Sequence, residues 1–415
     1  MLTAVYNKYM KILEVLTYYR PWMSGLTIYV EWLSKALVQQ GHEVTVLTSQ
    51  YDPHLPRYEV MDGVKVVRVP VALRVSKGVI MPSFGPMAWK LALKSDVIHL
   101  HLPQFDAPGV ALRGRLLGKP VVLTYHCDLQ LPTGLFNRLV DRVVLTMNQL
   151  AGSLTNAVVT YTRDYGEHSP YLSRYIDNKL RVISPPVDMV TCTAAEADAF
   201  CQKHQLAGHQ VIGIAARLAT EKGVEVLLKA LPIVQEKFPN VKVLHAGPYE
   251  NIIGEEAYAA RLAPLFKKYE GIYELLGLLE GSDFAAFYQN LDVLVMCSLN
   301  STESFGLVQI EAMQSGVPVA TCNLPGVRQP VTMTGMGEVT PIGDHEALAQ
   351  ALIRILADKQ SYVRDPQLIG ESFTPEQTAV AYIQLFEEIK DGRFAPHTIE
   401  PAVYQTLRAM RDRFV

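Results

Sequence analysis

The chain has 415 residues, of which 49% are hydrophobic and 19% are charged, and its formal net charge at pH 7 is -3. This length exceeds the roughly 250–300 residues at which one hydrophobic core usually stops growing, so we expect two domains. The sequence has no long basic run, which argues against a nucleic-acid-binding protein. It also has no apolar stretch near the ~20 residues that a membrane-spanning helix needs.

The five cysteines are scattered and form no C-x-x-C pair, which argues against a zinc knuckle or a thioredoxin-type redox pair. Several of them lie in apolar runs, so we expect a reduced, cytoplasmic protein with buried thiols. The first ten residues lack the apolar core of a signal peptide. Because the first strand-like run begins at Lys11, we expect residues 1–9 to be an extension with no role in the fold.

In the first half of the chain, short β-branched runs alternate with helical patterns, which predicts a parallel sheet covered by helices. The predicted strands are residues 12–16, 43–48, 64–69, 97–101, 121–125, 158–161 and 181–183. The predicted helices are residues 28–40, 87–94, 110–117 and 135–150. Gly41 is expected to follow the end of the first helix as a C-cap glycine.

The run from Ile183 to Asp188 interrupts this alternation because it contains Pro185 and Pro186. Two consecutive prolines stop both a helix and a central strand, so we place the linker between the domains here. We therefore expect an N-terminal domain over residues 1–187 and a C-terminal domain over residues 188–372.

The alternation then resumes. The predicted strands are residues 211–215, 241–245, 272–276, 292–297 and 318–321, and the predicted helices are residues 223–237, 255–270, 283–289, 305–314 and 346–358. Ser282 is the expected N-cap of the third of these helices. Two further helical patterns lie within residues 373–415, a segment that we expect to cross back towards the N-terminal domain. The predicted fold class is α/β, with two Rossmann-like doubly wound domains facing each other across a cleft where a ligand would bind.

The segment from Glu303 to Glu311 follows a predicted buried strand and opens a predicted helix. The backbone N–H groups of Phe305, Gly306 and Leu307 would lie at a helix start, where an anion can bind. At ~1.5 Å rise per residue, the two carboxylates would be on the order of 10 Å apart, which suits hydroxyl groups at opposite ends of a sugar, diphosphate and ribose. The alternative is an acid that complements the helix dipole and a second, solvated surface acid.

Three other positions follow predicted strands at the edge where ligands bind. Arg217 and Lys222 flank a strand-to-helix turn, where two cations can hold a diphosphate and neutralise a leaving group. A solvated basic pair is the alternative. Gly25 follows the first strand and would let the backbone approach a phosphate from the opposite domain. His126 ends the strand 121–125, where a functional and a structural histidine are equally reasonable.

In this order, the motifs resemble those of the family 4 (GT4) retaining glycosyltransferases, also called group 1 glycosyltransferases. The resemblance rests on Pro21 to Gly25, Thr124-Tyr125-His126, Arg217 to Gly223, Glu303-x7-Glu311 and Glu311-Ala312-Met313-x-x-Gly316-Val317-Pro318-Val319. It covers the chain from Lys11 to about Asp358, and the Glu-x7-Glu segment is its specific part. It implies a GT-B fold, a nucleotide-diphosphate-sugar donor, independence of metal ions and no further cofactor. It also implies that residues 1–187 form the acceptor side and residues 188–372 the donor side.

The resemblance also implies roles for individual residues. It places the catalytic contacts at His126, Glu303, Arg217 and Lys222. It places donor binding at Ser24, Gly25, Arg217, Lys222, Ser304, Phe305, Gly306, Leu307 and Glu311. Within these sets, the two cations would bind the diphosphate, Glu311 the ribose and Glu303 the transferred sugar, while His126 would lie near the sugar and the acceptor hydroxyl.

The sequence departs from the family pattern at three places. Ser24 stands where the family usually has a first glycine, and the linker reads Ser184-Pro185-Pro186 where the family usually has Pro-Asn-Gly. Arg328 and Gln329 occupy the neighbourhood of a common glutamate, so the family's contacts to the base or the sugar are not carried over to this position.

Other classes of protein fit the sequence less well. A nicotinamide dehydrogenase needs G-x-G-x-x-G after the first strand, and a metal-dependent GT-A transferase needs an Asp-x-Asp pair; the sequence has neither. The expected activity is transfer of a hexose, with retention, to a hydroxyl of a lipid, saccharide or small molecule. An epimerase, a phosphorylase and a non-catalytic sugar-nucleotide-binding protein remain alternatives. The apolar and basic helix 135–150 is either a core helix or a peripheral contact with the inner face of a membrane.

Overall fold

A computed structural model describes residues 9–75, 78–130, 135–188, 191–250, 252, 254–396 and 400–413. The chain forms two compact units: Met1–Pro186 with Phe373–Pro401, and Val187–Ser372 with Ala402–Val415. Residues 373–415, which the sequence analysis treated as one segment, are thus divided between the two units. The extension expected over residues 1–9 lies outside the described residues, except for Tyr9.

The first unit is built on an eight-stranded sheet. In chain order its strands and those of a small two-stranded sheet are β1 (Lys11–Val15), β2 (Glu43–Gln50), β3 (Tyr58–Met61), β4 (Val64–Pro70), β5 (Leu73–Val75), β6 (Gly78–Ile80), β7 (Val97–Leu102), β8 (Val121–Tyr125), β9 (Ala157–Thr160) and β10 (Leu180–Val182). The large sheet has the order β10-β9-β8-β7-β1-β2-β4-β3, and β5 pairs with β6. Its strands are parallel except for the β3–β4 pair.

Helices cover this sheet. They are α1 (Gly25–Gln39), α2 (Phe84–Lys94), α3 (Ala107–Leu116), α4 (Leu135–Leu154) and α5 (Arg163–His168), with a 3-10 turn at Leu172–Tyr175. Strands β7 and β8 are buried along their whole length, as expected for central strands with helices on both faces. The chain leaves β2 and β4 and returns to β7 on the other side of β1. The carboxyl ends of β1 and β7 therefore flank the point where strand order reverses, which is the usual ligand position in open α/β sheets.

The second unit is a six-stranded parallel sheet. Its strands are β11 (Gln210–Ala215), β12 (Val241–Ala246), β13 (Tyr273–Gly277), β14 (Val293–Met296), β15 (Val319–Cys322) and β16 (Gly337–Thr340), in the order β13-β12-β11-β14-β15-β16. The strand order reverses between β11 and β14. The same rule therefore places a ligand site at the carboxyl ends of these two strands.

The remaining helices belong mostly to the second unit. They are α6 (Ala194–Lys203), α7 (Val224–Lys237), α8 (Glu256–Lys268), α9 (Gly281–Gln289), α10 (Leu307–Gln314), α11 (Gln329–Thr334), α12 (His345–Ala357), α13 (Pro366–Ser372), α14 (Pro375–Lys390) and α15 (Ala402–Arg411), with 3-10 turns at Thr220–Lys222 and Lys359–Ser361. Helix α14 packs on α1 in the first unit, and α15 packs on α11 in the second. Among the described residues, no helix combines the length and apolarity needed to cross a membrane.

Several helix starts differ from the sequence expectation, and the caps explain those of α9 and α1. Helix α9 begins at Gly281, so Ser282 is not its N-cap; the N-cap position is held by Glu280, whose backbone is extended. Helix α1 begins at Gly25, three residues before the predicted start, because the Ser24 side chain accepts a hydrogen bond from the Thr27 N–H at 3.2 Å. Gly41, with φ of 89°, follows the end of this helix as expected.

Candidate active site

Two loops meet at the carboxyl ends of β11 and β14. Lys222 ends the 3-10 turn that follows β11, and Glu303 lies between β14 and α10. Lys222 Nζ donates to Glu303 Oε2 at 2.5 Å, and the two side chains are 24% and 17% exposed. The structure therefore joins two of the predicted site residues in one partly exposed ion pair, at the point where strand order reverses.

Gly223 allows these loops to approach each other closely. Its backbone is left-handed, with φ of 63°, and a Cβ atom there would lie 2.3 Å from the Cys297 carbonyl oxygen. The Cys297 thiol donates to the Gly223 carbonyl oxygen at 3.1 Å, and the Leu299 N–H donates to the Glu221 carbonyl oxygen at 2.8 Å. The position of Lys222 is thus fixed by main-chain contacts on both sides.

Arg217 lies in the same loop, but its partner is Glu221 and not Glu303. Its side chain is 41% exposed, and the Glu221 side chain is 15% exposed. Each of the two predicted cations is therefore neutralised by its own carboxylate. Partly exposed pairs of this kind contribute only about 0–1 kcal/mol to stability, so a polyanionic ligand can displace the carboxylates at little cost.

The segment before α10 is arranged differently from the sequence expectation. The helix begins at Leu307, two residues later than predicted, because Gly306 has φ of 79° and cannot continue a right-handed helix. A Cβ atom on Gly306 would also lie 2.5 Å from Met296 Sδ, so a substitution here would have to move that side chain as well as adopt a left-handed backbone. The side chains of Ser304 and Phe305 are buried. The Phe305 side chain is therefore not accessible to a donor.

Glu311 is buried inside α10. Its side chain accepts a hydrogen bond from the Tyr288 hydroxyl at 2.6 Å. Burial raises the pKa of Glu311 to about 7, although the hydrogen bond from Tyr288 opposes this shift. The alternative interpretation of Glu311 as a solvated surface acid is therefore wrong. Tyr288, which sequence reasoning did not identify, positions this carboxylate.

In the first unit, Ser24 and Gly25 stand at the start of α1. Ser24 acts as the N-cap, so its hydroxyl has a structural partner. Gly25 does not have a positive φ, and a Cβ atom built on it meets nothing within 4 Å. The fold does not need a glycine at this position, and open space lies beside it. This is the pattern expected where a ligand approaches the backbone closely.

The His126 ring is buried directly after β8. Its Nε2 atom lies 3.0 Å from His101 Nδ1, and its Nδ1 atom is hydrogen-bonded to the Tyr161 hydroxyl. Burial lowers the pKa of His126 well below its usual range, with a further contribution from His101. His126 is thus neutral, and both of its ring nitrogens have protein partners. Sequence reasoning missed His101, Tyr161 and the residue that His101 contacts in turn, Glu14.

Glu14, His99 and His101 are the one group of the described residues whose donor atoms are close enough to hold a metal ion, all lying within 4.8 Å. Two imidazoles and a carboxylate would suit Zn²⁺. However, His101 Nε2 lies only 2.6 Å from Glu14 Oε2, a hydrogen-bond distance that leaves a proton between the two atoms. In this arrangement, Glu14 and His101 form a hydrogen bond with each other.

Two family models match the chain, each over one unit. The "Glycosyl transferase 4-like domain" matches residues 24–186, and "Glycosyl transferases group 1" matches residues 198–365. An uncharacterized glycosyltransferase of Methanocaldococcus jannaschii is 27% identical over 361 residues, covering 84% of this chain and 90% of the relative. The phosphatidyl-myo-inositol mannosyltransferase of Mycolicibacterium smegmatis is 28% identical over 354 residues, covering 81% and 82%.

A solved structure shares the fold. Anabaena Alr3699/HepE, in complex with UDP and glucose, aligns with a TM-score of 0.72 at 18% identity, covering 91% of this chain and 100% of that one. At this identity the likeness concerns the fold alone, which is GT-B. The matches of the two family models, one over each unit, show that the chain belongs to the family 4, or group 1, glycosyltransferases.

Proposed function

We propose that the protein transfers a hexose from a nucleoside-diphosphate sugar to a hydroxyl group of its acceptor, with retention of the anomeric configuration. The observation that carries this proposal is the Lys222–Glu303 pair at the carboxyl ends of β11 and β14. It combines a cation for a diphosphate with a carboxylate for sugar hydroxyls at the position where α/β sheets bind ligands.

Donor binding would rearrange the ion pairs of this loop. A diphosphate carries more negative charge than either carboxylate, so it would replace Glu303 as the partner of Lys222 and Glu221 as the partner of Arg217. The released Glu303 could then accept hydrogen bonds from the transferred sugar. The N–H groups of Leu307 and Val308, at the start of α10, would offer a second contact for the phosphate.

In the transfer, the anomeric carbon would exchange its bond to the phosphate for a bond to the acceptor. The bond between the anomeric carbon and the phosphate oxygen breaks, and its electron pair stays on that oxygen. The acceptor oxygen bonds to the anomeric carbon on the same face, and its proton passes to the departing phosphate. Lys222 and Arg217 stabilise the charge that develops on this oxygen, a role that needs no metal ion. Glu311 would hold the ribose.

The names of two similar proteins support a hexose donor. The Anabaena structure contains UDP and glucose, and the mycobacterial relative is a mannosyltransferase that acts on phosphatidyl-myo-inositol. A lipid acceptor would also explain why the apolar residues Val143, Leu145 and Leu150 of α4 are exposed. We therefore propose a hydroxylated lipid as the first acceptor class to test, with peripheral contact between the protein and the membrane.

The experiment combines a panel of UDP-, GDP- and ADP-hexoses with vesicles that contain a hydroxylated lipid, or with soluble saccharides. Release of nucleoside diphosphate that depends on the acceptor supports transfer, and the anomeric proton coupling of the product reports its configuration. Lys222→Ala is the matched inactive control. Epimerised donor, or sugar phosphate formed from inorganic phosphate, would instead identify the epimerase or phosphorylase alternative. Binding without any turnover would leave the non-catalytic alternative.

A further inference from the structure

A continuous chain of buried polar groups lies within the sheet of the first unit. Its centre is Glu14, a fully buried carboxylate on the central strand β1. The neighbouring strand β7 places His99 opposite Glu14 in the parallel register. His101 lies two residues further on, so its side chain points to the same face of the sheet as that of His99. An acidic residue on a central strand is expensive to bury unless it is paired.

Two branches leave Glu14. In the first branch, Glu14 Oε2 contacts His101 Nε2 at 2.6 Å, His101 Nδ1 contacts His126 Nε2 at 3.0 Å, and His126 Nδ1 contacts the Tyr161 hydroxyl. In the second branch, His99 Nδ1 lies 2.9 Å from Glu14 Oε2 as an ion-pair contact without hydrogen-bond geometry, and His99 Nε2 contacts Thr124 Oγ1 at 2.7 Å. The Tyr382 hydroxyl then joins Thr124, at 2.6 Å, to Tyr29, at 2.7 Å.

The hydrogen-bonding capacity of each group fixes the protons of the first branch. An ionised carboxylate only accepts, so His101 Nε2 must carry the proton and donate it to Glu14. A neutral His101 then presents Nδ1 as an acceptor, which requires that His126 donates from Nε2. The unprotonated Nδ1 of His126 accepts the hydrogen bond from Tyr161. Reversing any one of these bonds would require reversing its neighbours.

The electrostatics agree with this assignment. Although burial alone would raise it, the pKa of Glu14 is held below its usual range by His99 and His101. Burial, together with His99, lowers the pKa of His101 to about 4. The other titratable groups that face the chain are the phenols of Tyr29, Tyr161 and Tyr382, of which Tyr29 and Tyr382 have raised pKa values because they are buried.

We propose that Glu14 and His101 are positioning residues that fix the tautomer and the orientation of His126, and that the His126 ring is a hydrogen-bonded support and not the base that takes the acceptor proton. To accept a proton at Nδ1, the His126 ring would have to lose the hydrogen bond that Tyr161 donates to it and to carry a positive charge in a buried position. Burying a charge is costly unless an opposite charge is paired with it directly. The effect on catalysis rests on the proposed transfer reaction, whereas the tautomers can be measured without any substrate.

The test uses the full chain labelled with ¹⁵N-histidine. Long-range ¹H–¹⁵N correlation spectra distinguish the two neutral tautomers of each imidazole, and single His→Gln variants assign the signals of His99, His101 and His126. We expect His101 and His126 to be protonated at Nε2, with neither changing between pH 5.5 and 8.5. A His126 ring that is protonated at Nδ1, or that titrates in parallel with activity, would overturn the proposal.

Two substitutions of Glu14 separate positioning from simple stability. Glu14→Gln keeps a side-chain oxygen that accepts from His101, so this variant should retain the tautomers and most of the activity. Glu14→Met removes the acceptor, so the His126 signal should become a mixture of tautomers. The kcat for transfer should then fall by roughly 10- to 100-fold while donor affinity changes less than about twofold. An unchanged His126 tautomer in Glu14→Met would contradict the proposal.

Elemental analysis of the purified protein completes the test, because Glu14 Oε1 has no hydrogen-bond partner among the described residues. A stoichiometric metal ion retained after dialysis would overturn the proton assignment, since a metal on His101 Nε2 excludes a proton there. If Glu14→Met does not fold, the wild-type tautomers and the metal content still decide the question. If no donor is turned over while the tautomers are as expected, the proposed function fails and the His126 assignment stands.

Discussion

Lys222 Nζ lies 2.5 Å from Glu303 Oε2, so two residues that are 81 positions apart in the sequence form one ion pair. The pair connects the loop after β11 to the loop after β14, where the order of the strands reverses. Because both side chains are partly exposed, the pair adds at most about 1 kcal/mol to stability. A ligand with a diphosphate and a hydroxylated sugar can therefore take over both partners.

We expect Lys222→Ala to weaken the binding of the sugar donor and of the free nucleoside diphosphate equally, since both carry the diphosphate. A charge-assisted contact is worth about 1.5–3 kcal/mol, which corresponds to a roughly 10- to 150-fold higher Kd. Isothermal titration with both ligands measures the effect. Lys229→Ala is the matched control, because Lys229 is an exposed lysine on α7. Equal affinities for wild type and Lys222→Ala would identify Lys222 as a surface charge.

Substitution by alanine should change the stability of the protein at one glycine and leave it nearly unchanged at another. Gly223→Ala forces a Cβ atom against the Cys297 carbonyl oxygen in a left-handed backbone, so it should lower stability by at least ~1–2 kcal/mol. Gly25→Ala meets open space in a helical backbone, so its stability should stay within about 1 kcal/mol of wild type. Urea unfolding of both variants tests this. If a phosphate approaches the start of α1, Gly25→Ala should nevertheless weaken donor binding, and unchanged binding would argue against that approach.

The raised pKa of Glu311 predicts a specific pH dependence of stability. In the unfolded chain this carboxyl titrates near its ordinary 4.5, whereas in the folded protein its pKa is about 7. Below pH 4.5 it is protonated in both states, and its stabilising contribution is fully present. As the pH rises from 4.5 to 7, the carboxyl ionises in the unfolded chain but not in the folded protein. The free energy of unfolding of wild type should therefore fall by roughly 3 kcal/mol relative to that of Glu311→Gln.

Urea unfolding of wild type and Glu311→Gln at several pH values between 4 and 8 measures this difference directly. The comparison cancels the other titrating groups, because the two proteins differ only in this carboxyl. A difference that does not change with pH would show that Glu311 is solvated in solution.

The main elements could be predicted from the sequence because the central strands are rich in apolar and β-branched residues. The elements that were missed are short or polar. Strand β16 has four residues and is only partly buried, so it carries no alternation to detect. Helix α6 has a weak apolar face, yet Thr193 and Glu196 form a complete capping box at its start, a signal that is readable in the sequence.

In the candidate site, too, some residues could be predicted from the sequence and others could not. Lys222, Glu303 and Glu311 could be identified from their positions after predicted strands. Their partners could not be identified, because a contact between Lys222 and Glu303, or between Glu311 and Tyr288, depends on how distant loops and helices pack. Glu14 did leave a signal: a charged residue within a predicted apolar strand is rare unless it is paired.

Activity should survive chelation. In the proposed reaction, Lys222 and Arg217 would supply the positive charge that Mg²⁺ or Mn²⁺ provides in metal-dependent transferases, so transfer in EDTA should equal transfer in buffer. Steady-state rates with the active donor, measured with and without chelator, provide the comparison. Loss of turnover in EDTA and its recovery with Mn²⁺ would show that the two cations are not sufficient.

The two glutamates of the Glu303-x7-Glu311 segment should divide the donor between them. Glu311 is buried within α10, where the family resemblance places the ribose, so Glu311→Gln should weaken the binding of the nucleoside diphosphate and of the sugar donor alike. Glu303 pairs with Lys222 in the free protein, so Glu303→Gln removes a competitor of the diphosphate. Nucleoside-diphosphate affinity should then stay the same or rise.

Turnover should behave in the opposite way for Glu303→Gln. A contact to the transferred sugar that strengthens in the transition state lowers kcat when it is lost, with little effect on ground-state binding. Isothermal titration with the nucleoside diphosphate, beside steady-state kinetics on both variants, separates the two roles. If Glu303→Gln abolishes nucleoside-diphosphate binding while Glu311→Gln leaves it intact, the donor lies along α10 in the reverse direction, with its ribose at Glu303 and its sugar at Glu311.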